Sequence, residues 1–209
     1  FTIVAHANLN SGNNLNSNSK IMHVCESDNI QNAISQYKLV VEHFQNGSYF
    51  KEALLGLKSI YVGIAKVDEY ISFINTIPQY RISESEQDSL SYSAAFIKFS
   101  EQDYVTSKNA FIKYIDEFEE GIFLDDAYNY LAYSHLNVGD SSEAKICFNY
   151  IVENNVNQYL EDALLYLARV HFKQDNYVKS NSYYFILEGL ASNNSIKREA
   201  CIRLMYGFE

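Results

Sequence analysis

Two histidines, His135 and His171, stand 36 residues apart and are the first residues to weigh for metal or acid-base chemistry. Imidazole ligates zinc and shuttles protons near neutral pH, but a zinc site needs three or four ligands of suitable geometry. No further ligand at metal-binding spacing accompanies either ring. Their spacing points to a packing position used twice. The carboxylates Glu84, Glu86 and Asp88, and Asp116, Glu117, Glu119 and Glu120, could in principle form acid/base pairs or hold calcium. They fall at expected helix ends and on polar faces, which reads as a solvated surface. Cys25, Cys147 and Cys201 are odd in number, widely spaced and outside any Cys-x-x-Cys pattern, so neither a disulfide framework nor a zinc site is indicated. The chain contains no Gly-x-Ser-x-Gly, His-Glu-x-x-His, P-loop or Gly-x-Gly-x-x-Gly sequence. The Asn-x-Ser sequences at Asn46 and Asn193 would matter only in a eukaryotic secretory pathway. No catalytic residue, metal or cofactor is expected, and the chain reads as a non-enzyme.

The elements that position these residues recur. Leu57, Ala94, Leu131 and Leu167 are each followed 13 residues later by Tyr70, Ser107, Ala144 and Ser180, and four further on by Ile74, Phe111, Phe148 and Tyr184. The intervals are 37, 37 and 36 residues, a period that marks a stacked helical array. Each unit of such an array leaves an apolar face that only its neighbours can cover, and the stack presents an extended surface. One proline and eight glycines in 209 residues leave little material for hairpins, so an all-α chain is expected.

Helices are expected at about 17–26, 29–45, 49–63, 66–77, 84–100, 101–118, 122–138, 140–155, 159–174, 175–191 and 195–206. Tyr128, Leu131, Ala132 and His135 fall at i, i+3, i+4, i+7, the spacing of one helix face. Gly139 suits a left-handed C-terminal cap and Asp140 the N-cap of the next helix. The small Ala132 and Ala144 would let the two backbones approach closely. Units are expected to start near 51, 88, 125 and 161, with a terminal helix at 195–206 whose second helix is missing. Asn46-Gly47-Ser48-Tyr49 takes a turn position between repeats. Asn10 to Ser19 reads as an Asn-rich loop, so the chain divides into an irregular stretch 1–28 and an array 29–209. The ending Ala-x-Ala of Phe1 to Ala7 fits the tail of a secretory signal, or these residues end a helix of an upstream repeat in a longer chain.

A net charge of −10 with 16 Lys and Arg argues against nucleic acid as partner. No stretch approaches the length of apolar sequence that a membrane span needs.

The unit from Asp125 resembles a tetratricopeptide repeat through Tyr128, Leu131, Ala132, His135, Gly139, Asp140, Ala144 and Phe148, and the resemblance extends over residues 29 to 206. It implies a right-handed alpha-alpha superhelix of about five helix pairs. Units two or three residues longer than the typical 34, as at Phe118 to Phe123, are similar to those of envelope proteins such as the periplasmic coordinator of the Tol-Pal system and the lipoprotein of the outer-membrane assembly machine. The runs Leu57 to Val62, Val67 to Tyr70 and Glu86 to Leu90, with Phe118-x-x-Gly121-x-Phe123, are similar to the C-terminal segment of long repeat proteins of Bacteroidetes. The resemblance implies a periplasmic or outer-membrane-associated location. Lys58 and Lys98 depart from it, standing where a small residue and a Tyr are expected, and Pro78 to Ser85 is an irregular connection.

The resemblance implies that first helices line a concave groove, floored here by Tyr92, Phe96, Phe99, Asn129, Tyr133, Leu136, Leu165, Arg169 and Phe172 and edged by Asn137 and Lys173. Val62, Phe99, Leu136 and Phe172 are equivalent and always apolar, which favours packing. Ser59, Phe96, Tyr133 and Arg169 are equivalent but chemically varied, which suits recognition. The groove would take an amphipathic helix or extended peptide of a partner protein, anchored by apolar side chains. The family's capture of a C-terminal carboxylate is not expected, because its positions hold Leu55, Tyr92 and Asn129. The expected function is a protein-interaction scaffold, in which replacing Phe96, Tyr133 and Arg169 by Ala abolishes capture and spares the melting temperature. The alternative is a structural or oligomerisation module that self-associates through the terminal helix, where Leu204, Met205, Tyr206 and Phe208 would leave an uncapped apolar face.

Overall fold

The computed structural model describes residues 19–45, 49–78 and 80–206. The readings placed on residues 1–7, on most of the Asn-rich stretch, on Asn46 to Ser48 and on Phe208 lie outside the described residues, as do the side chains of Cys25 and Tyr206. Among the described residues the chain is helical with short connections and no strand. The helices are α1 (Ser19–His43), α2 (Phe50–Gly63), α3 (Val67–Ile74), α4 (Glu84–Ser100), α5 (Tyr104–Glu117), α6 (Leu124–Val138), α7 (Ser141–Glu153), α8 (Leu160–Lys173), α9 (Tyr177–Leu190) and α10 (Asn194–Tyr206). Two helices expected at 17–26 and 29–45 are a single one, α1. Asp28 and Asn29 suggest a cap, but no glycine or proline is present to take the chain out of the helix.

The chain forms two compact units, Phe1–Ala94 and Ala95–Glu209, the division falling within α4. In the first, α1 packs on α2 and α2 on α3. Gly56 makes the first of these contacts possible, because a Cβ there would stand 2.6 Å from the Tyr37 ring. In the second unit, α5 through α10 pack each on the next in chain order. This nearest-neighbour order is what a helical repeat array requires.

The repeat is visible in the backbone itself. Ala65, Gln102, Gly139 and Asp175 have φ of 56, 63, 89 and 55°, at intervals matching those of the sequence repeat. Each ends a first helix with the same pair of bonds. At Gly139 the Asp140 amide donates to the His135 carbonyl at 2.8 Å and the Gly139 amide to Leu136 at 3.2 Å. At Gln102 the corresponding amides of Asp103 and Gln102 donate to Lys98 and Phe99, both at 2.9 Å. These double bonds satisfy the last carbonyls of the helix and reverse the chain in two residues.

Only Gly139 occupies this conformation without a side-chain penalty. The penalty for an L-residue is about 1–2 kcal/mol, partly offset on the glycine side by a larger unfolded-state entropy of about 0.5–1 kcal/mol. A Cβ at Gly139 would meet nothing within 4 Å, so Gly139→Ala isolates the backbone effect. Urea unfolding is expected to show a loss of about 1 kcal/mol for Gly139→Ala and a gain of similar size or smaller for Gln102→Gly. Equal midpoints for Gly139→Ala and the parent chain would rule out the left-handed turn.

Asp140 takes the N-cap position of α7 but makes no cap bond with its side chain. Its carboxylate accepts from Lys108 Nζ at 2.8 Å and lies 3.5 Å from His135 Nδ1. The Lys108 hydrogen bond, above all, holds it below the ordinary carboxylate range. The equivalent Asp103 and Asn176 do cap, accepting from the amides of Thr106 and Lys179 at 3.2 and 3.3 Å.

Candidate functional site

The core stripe of each pair follows the expected spacing. Leu131, Ala132 and His135 of α6 and Ala144, Phe148 and Ile151 of α7 are buried. The equivalent Ala95 and Ala168 carbonyls accept hydrogen bonds from Ser107 Oγ at 3.2 Å and Ser180 Oγ at 2.9 Å, so each second helix touches the backbone of its first. Ring pairs close the turns: Phe99 on Tyr104 and Phe172 on Tyr177 are both edge-on, with centroids 5.5 and 5.4 Å apart.

Tyr92 lies in the first unit, half-buried on α4. In that unit Lys58 Nζ donates to Glu86 Oε1 at 2.9 Å, tying α2 to α4. Lys58 thereby replaces the small residue expected at its position with an ion pair. The Tyr70 hydroxyl is pushed up to about 12 by burial, then by Glu86 and Tyr80.

In the second unit the equivalent residues Phe96, Tyr133 and Arg169 each reach the first helix of the following repeat. Phe96 packs edge-on against Tyr130 of α6, centroids 4.9 Å apart. Tyr133 donates its hydroxyl to Asp162 of α8; burial first, then that carboxylate, raises its pKa. Arg169 grips Glu199 of α10 with Nε at 2.9 Å and Nη2 at 2.5 Å, a two-pronged pair. Tyr184 adds its hydroxyl to the same carboxylate at 3.1 Å, and Arg169 above all holds Glu199 below its ordinary range. The chemical variety of this position therefore follows from what each residue meets in the next repeat. Triple replacement by Ala removes these ties, so the expectation of an unchanged melting temperature is corrected. A fall is expected, with each ring pair worth about 0.5–1.5 kcal/mol beyond its buried area.

Two expected floor residues are also reassigned. Leu165 is buried in a cluster with Leu160, Leu164, Ala168, Tyr184, Leu187 and Ala200, so it faces the core. Asn129 is 4% exposed, and its Oδ1 has no hydrogen-bond partner among the described residues. Asn137 is exposed at the edge as expected, with Nδ2 donating back to the Tyr133 carbonyl at 2.8 Å. Lys173 is exposed; Leu136 and Phe172 are half-buried.

The acids that anchor this face were not singled out from the sequence. Asp126, Asp162 and Glu199 recur at 36 and 37 residues, each in the first turn or turns of a first helix. Asp126 accepts from the Tyr159 hydroxyl at 2.5 Å. Their common period was the available signal.

Both histidines are buried in the first helices of adjacent repeats. His171 lies against the Tyr183 ring at 5.8 Å, its pKa lowered by burial and then by Lys145 and Lys179. His135 faces Asp140. Cys147 is buried and its thiol is pushed up to about 12, chiefly by burial. Among the described residues no group of three or more His, Cys, Asp or Glu is arranged to hold a metal ion. No helix among them is long and apolar enough to cross a membrane. Compared with known proteins, the chain matches no family model and no curated protein.

Proposed function

We propose that the chain is a tetratricopeptide-type scaffold of the cell envelope whose first-helix face in the second unit binds a segment of a partner protein. One observation carries the reading: half-buried aromatic rings, Phe96, Phe99, Tyr130 and Tyr133, line successive first helices. Half-exposed rings offer apolar contact at little entropic cost. A peptide or amphipathic helix supplies the matching apolar side chains. The envelope location rests on the family resemblance alone.

Photo-crosslinking tests this without removing the ties between repeats. Benzoylphenylalanine at Asn137 or Lys173, both exposed at the edge, is expected to trap the same protein from native envelope extract, identified by mass spectrometry. The same probe at Ile146, 59% exposed on the second helix of the pair, is expected to trap none. A product from Ile146 alone, or identical products from all three positions, would remove the reading.

In the terminal helix Leu204 packs onto the core cluster of the second unit, while among the described side chains Ile202 and Met205 are exposed.

A further inference from the structure

We infer that His171 is an acid-sensitive latch: when its ring takes up a proton, the packing of α9 on α8 loosens, whereas the equivalent His135 has a partner for the same charge. The position is one of four in register, Tyr61, Lys98, His135 and His171, at intervals of 37, 37 and 36 residues. Where its occupant carries or can take a positive charge, a carboxylate from the following turn accompanies it, except at His171. Lys98 Nζ lies 2.8 Å from Glu101 Oε2, and His135 Nδ1 lies 3.5 Å from Asp140 Oδ2. At His171 the matching places hold amides, Gln174 for Glu101 and Asn176 for Asp140. Asn176 is committed to capping α9, its Oδ1 accepting from the Lys179 amide at 3.3 Å.

The surroundings of the ring favour its uncharged form. It is 5% exposed, and Nδ1 has no hydrogen-bond partner among the described residues. Lys145 acts on it from α7 and Lys179 from α9, both opposing a further positive charge, while Tyr183 of α9 lies against it. The acids in the same turn and on α10 are engaged elsewhere. Asp175 accepts from the Tyr177 hydroxyl at 2.8 Å, and Glu199 is held by Arg169 and Tyr184. On the α10 side the cation Arg203 stands over the neighbouring Phe172 ring, 4.2 Å from its centroid. A charged imidazole in this place is desolvated without compensation. The strain falls on the chain reversal, because the Asn176 amide that starts α9 donates to the His171 carbonyl at 2.9 Å.

Burial, then the two lysines, hold the His171 pKa below the ordinary histidine value near 6.5. The folded state is therefore at full stability above that value and loses it progressively below, as the open chain takes up the proton first. Asp140, Glu161 and Glu199, whose pKa values are also lowered, give up their contribution only around the ordinary carboxylate values of about 4–4.5 and below. The interval from about pH 7.5 to 5.5 is free of them.

Hydrogen exchange of the α9 amides over this interval, read by mass spectrometry and corrected for the intrinsic rate, tests the latch. Uptake of one proton on opening is expected to raise the opening constant of α9 by about tenfold. His171→Tyr, which places there the residue buried at the equivalent Tyr61, is expected to reduce the change to under about threefold. Asn176→Asp supplies the missing carboxylate and can cap as Asp103 does; it is expected to reduce the change likewise, and it decides the matter if the tyrosine disturbs packing. A change of under about threefold in the parent chain, or an undiminished change in either His171→Tyr or Asn176→Asp, would overturn the proposal.

Discussion

Phe148→Ala is expected to lose about 3–5 kcal/mol of unfolding free energy, the largest effect of any single replacement considered. The ring is 1% exposed on α7 and touches both neighbours of that helix. It stands edge-on to Tyr133 of α6 at 5.7 Å and tilted over Tyr166 of α8 at 4.5 Å. Its equivalents do the same work one repeat away: Phe111 stacks on Tyr130, and Tyr184 bonds Glu199. Truncation thus opens a cavity at the junction between repeats as well as within a pair. Where stability is a sum of repeats and nearest-neighbour contacts, cutting one junction lowers cooperativity along with the midpoint. Urea unfolding followed by helical circular dichroism is expected to show a lower midpoint and a smaller slope. A change of under about 1 kcal/mol would mean that the ring is not the wedge described here.

The fold was largely legible because helical periodicity and repeat period agree. Leu131, Ala132 and His135 stand at one-face spacing and are buried together. The left-handed turn was legible at Gly139 from residue type; at Ala65, Gln102 and Asp175 only the 36- or 37-residue interval could reveal it. The break expected near residue 28 failed for the opposite reason, since Asp and Asn favour caps without compelling one. The candidate site was less legible. In α8 Leu160, Ala163, Leu164, Leu165, Leu167 and Ala168 are all buried, so apolar spacing there marks most of the circumference and could not assign Leu165 to a face. Arg169 was read as a recognition residue because its partner lies 30 residues away on another first helix. No local pattern reports such a pair.

Ala132→Phe is expected to cost about 1–3 kcal/mol by overpacking, and its contrast with Ala144→Ser locates the cause. Both alanines are fully buried where α6 packs on α7. In the flanking repeats a serine at the position of Ala144 reaches the backbone carbonyl of the alanine matching Ala132, through Ser107 to Ala95 and Ser180 to Ala168. Backbone and side chain are within hydrogen-bond reach at this crossing, which leaves room for a hydroxyl and none for a ring. Ala144→Ser recreates the bond its neighbours already have, with an expected effect between neutral and a gain of about 1 kcal/mol. Thermal and urea unfolding of the two variants therefore move in different directions if the close crossing of first and second helices sets the pitch of each repeat. Tolerance of Ala132→Phe would show that the helices can separate there at little cost, and the small residues would lose their role in the repeat.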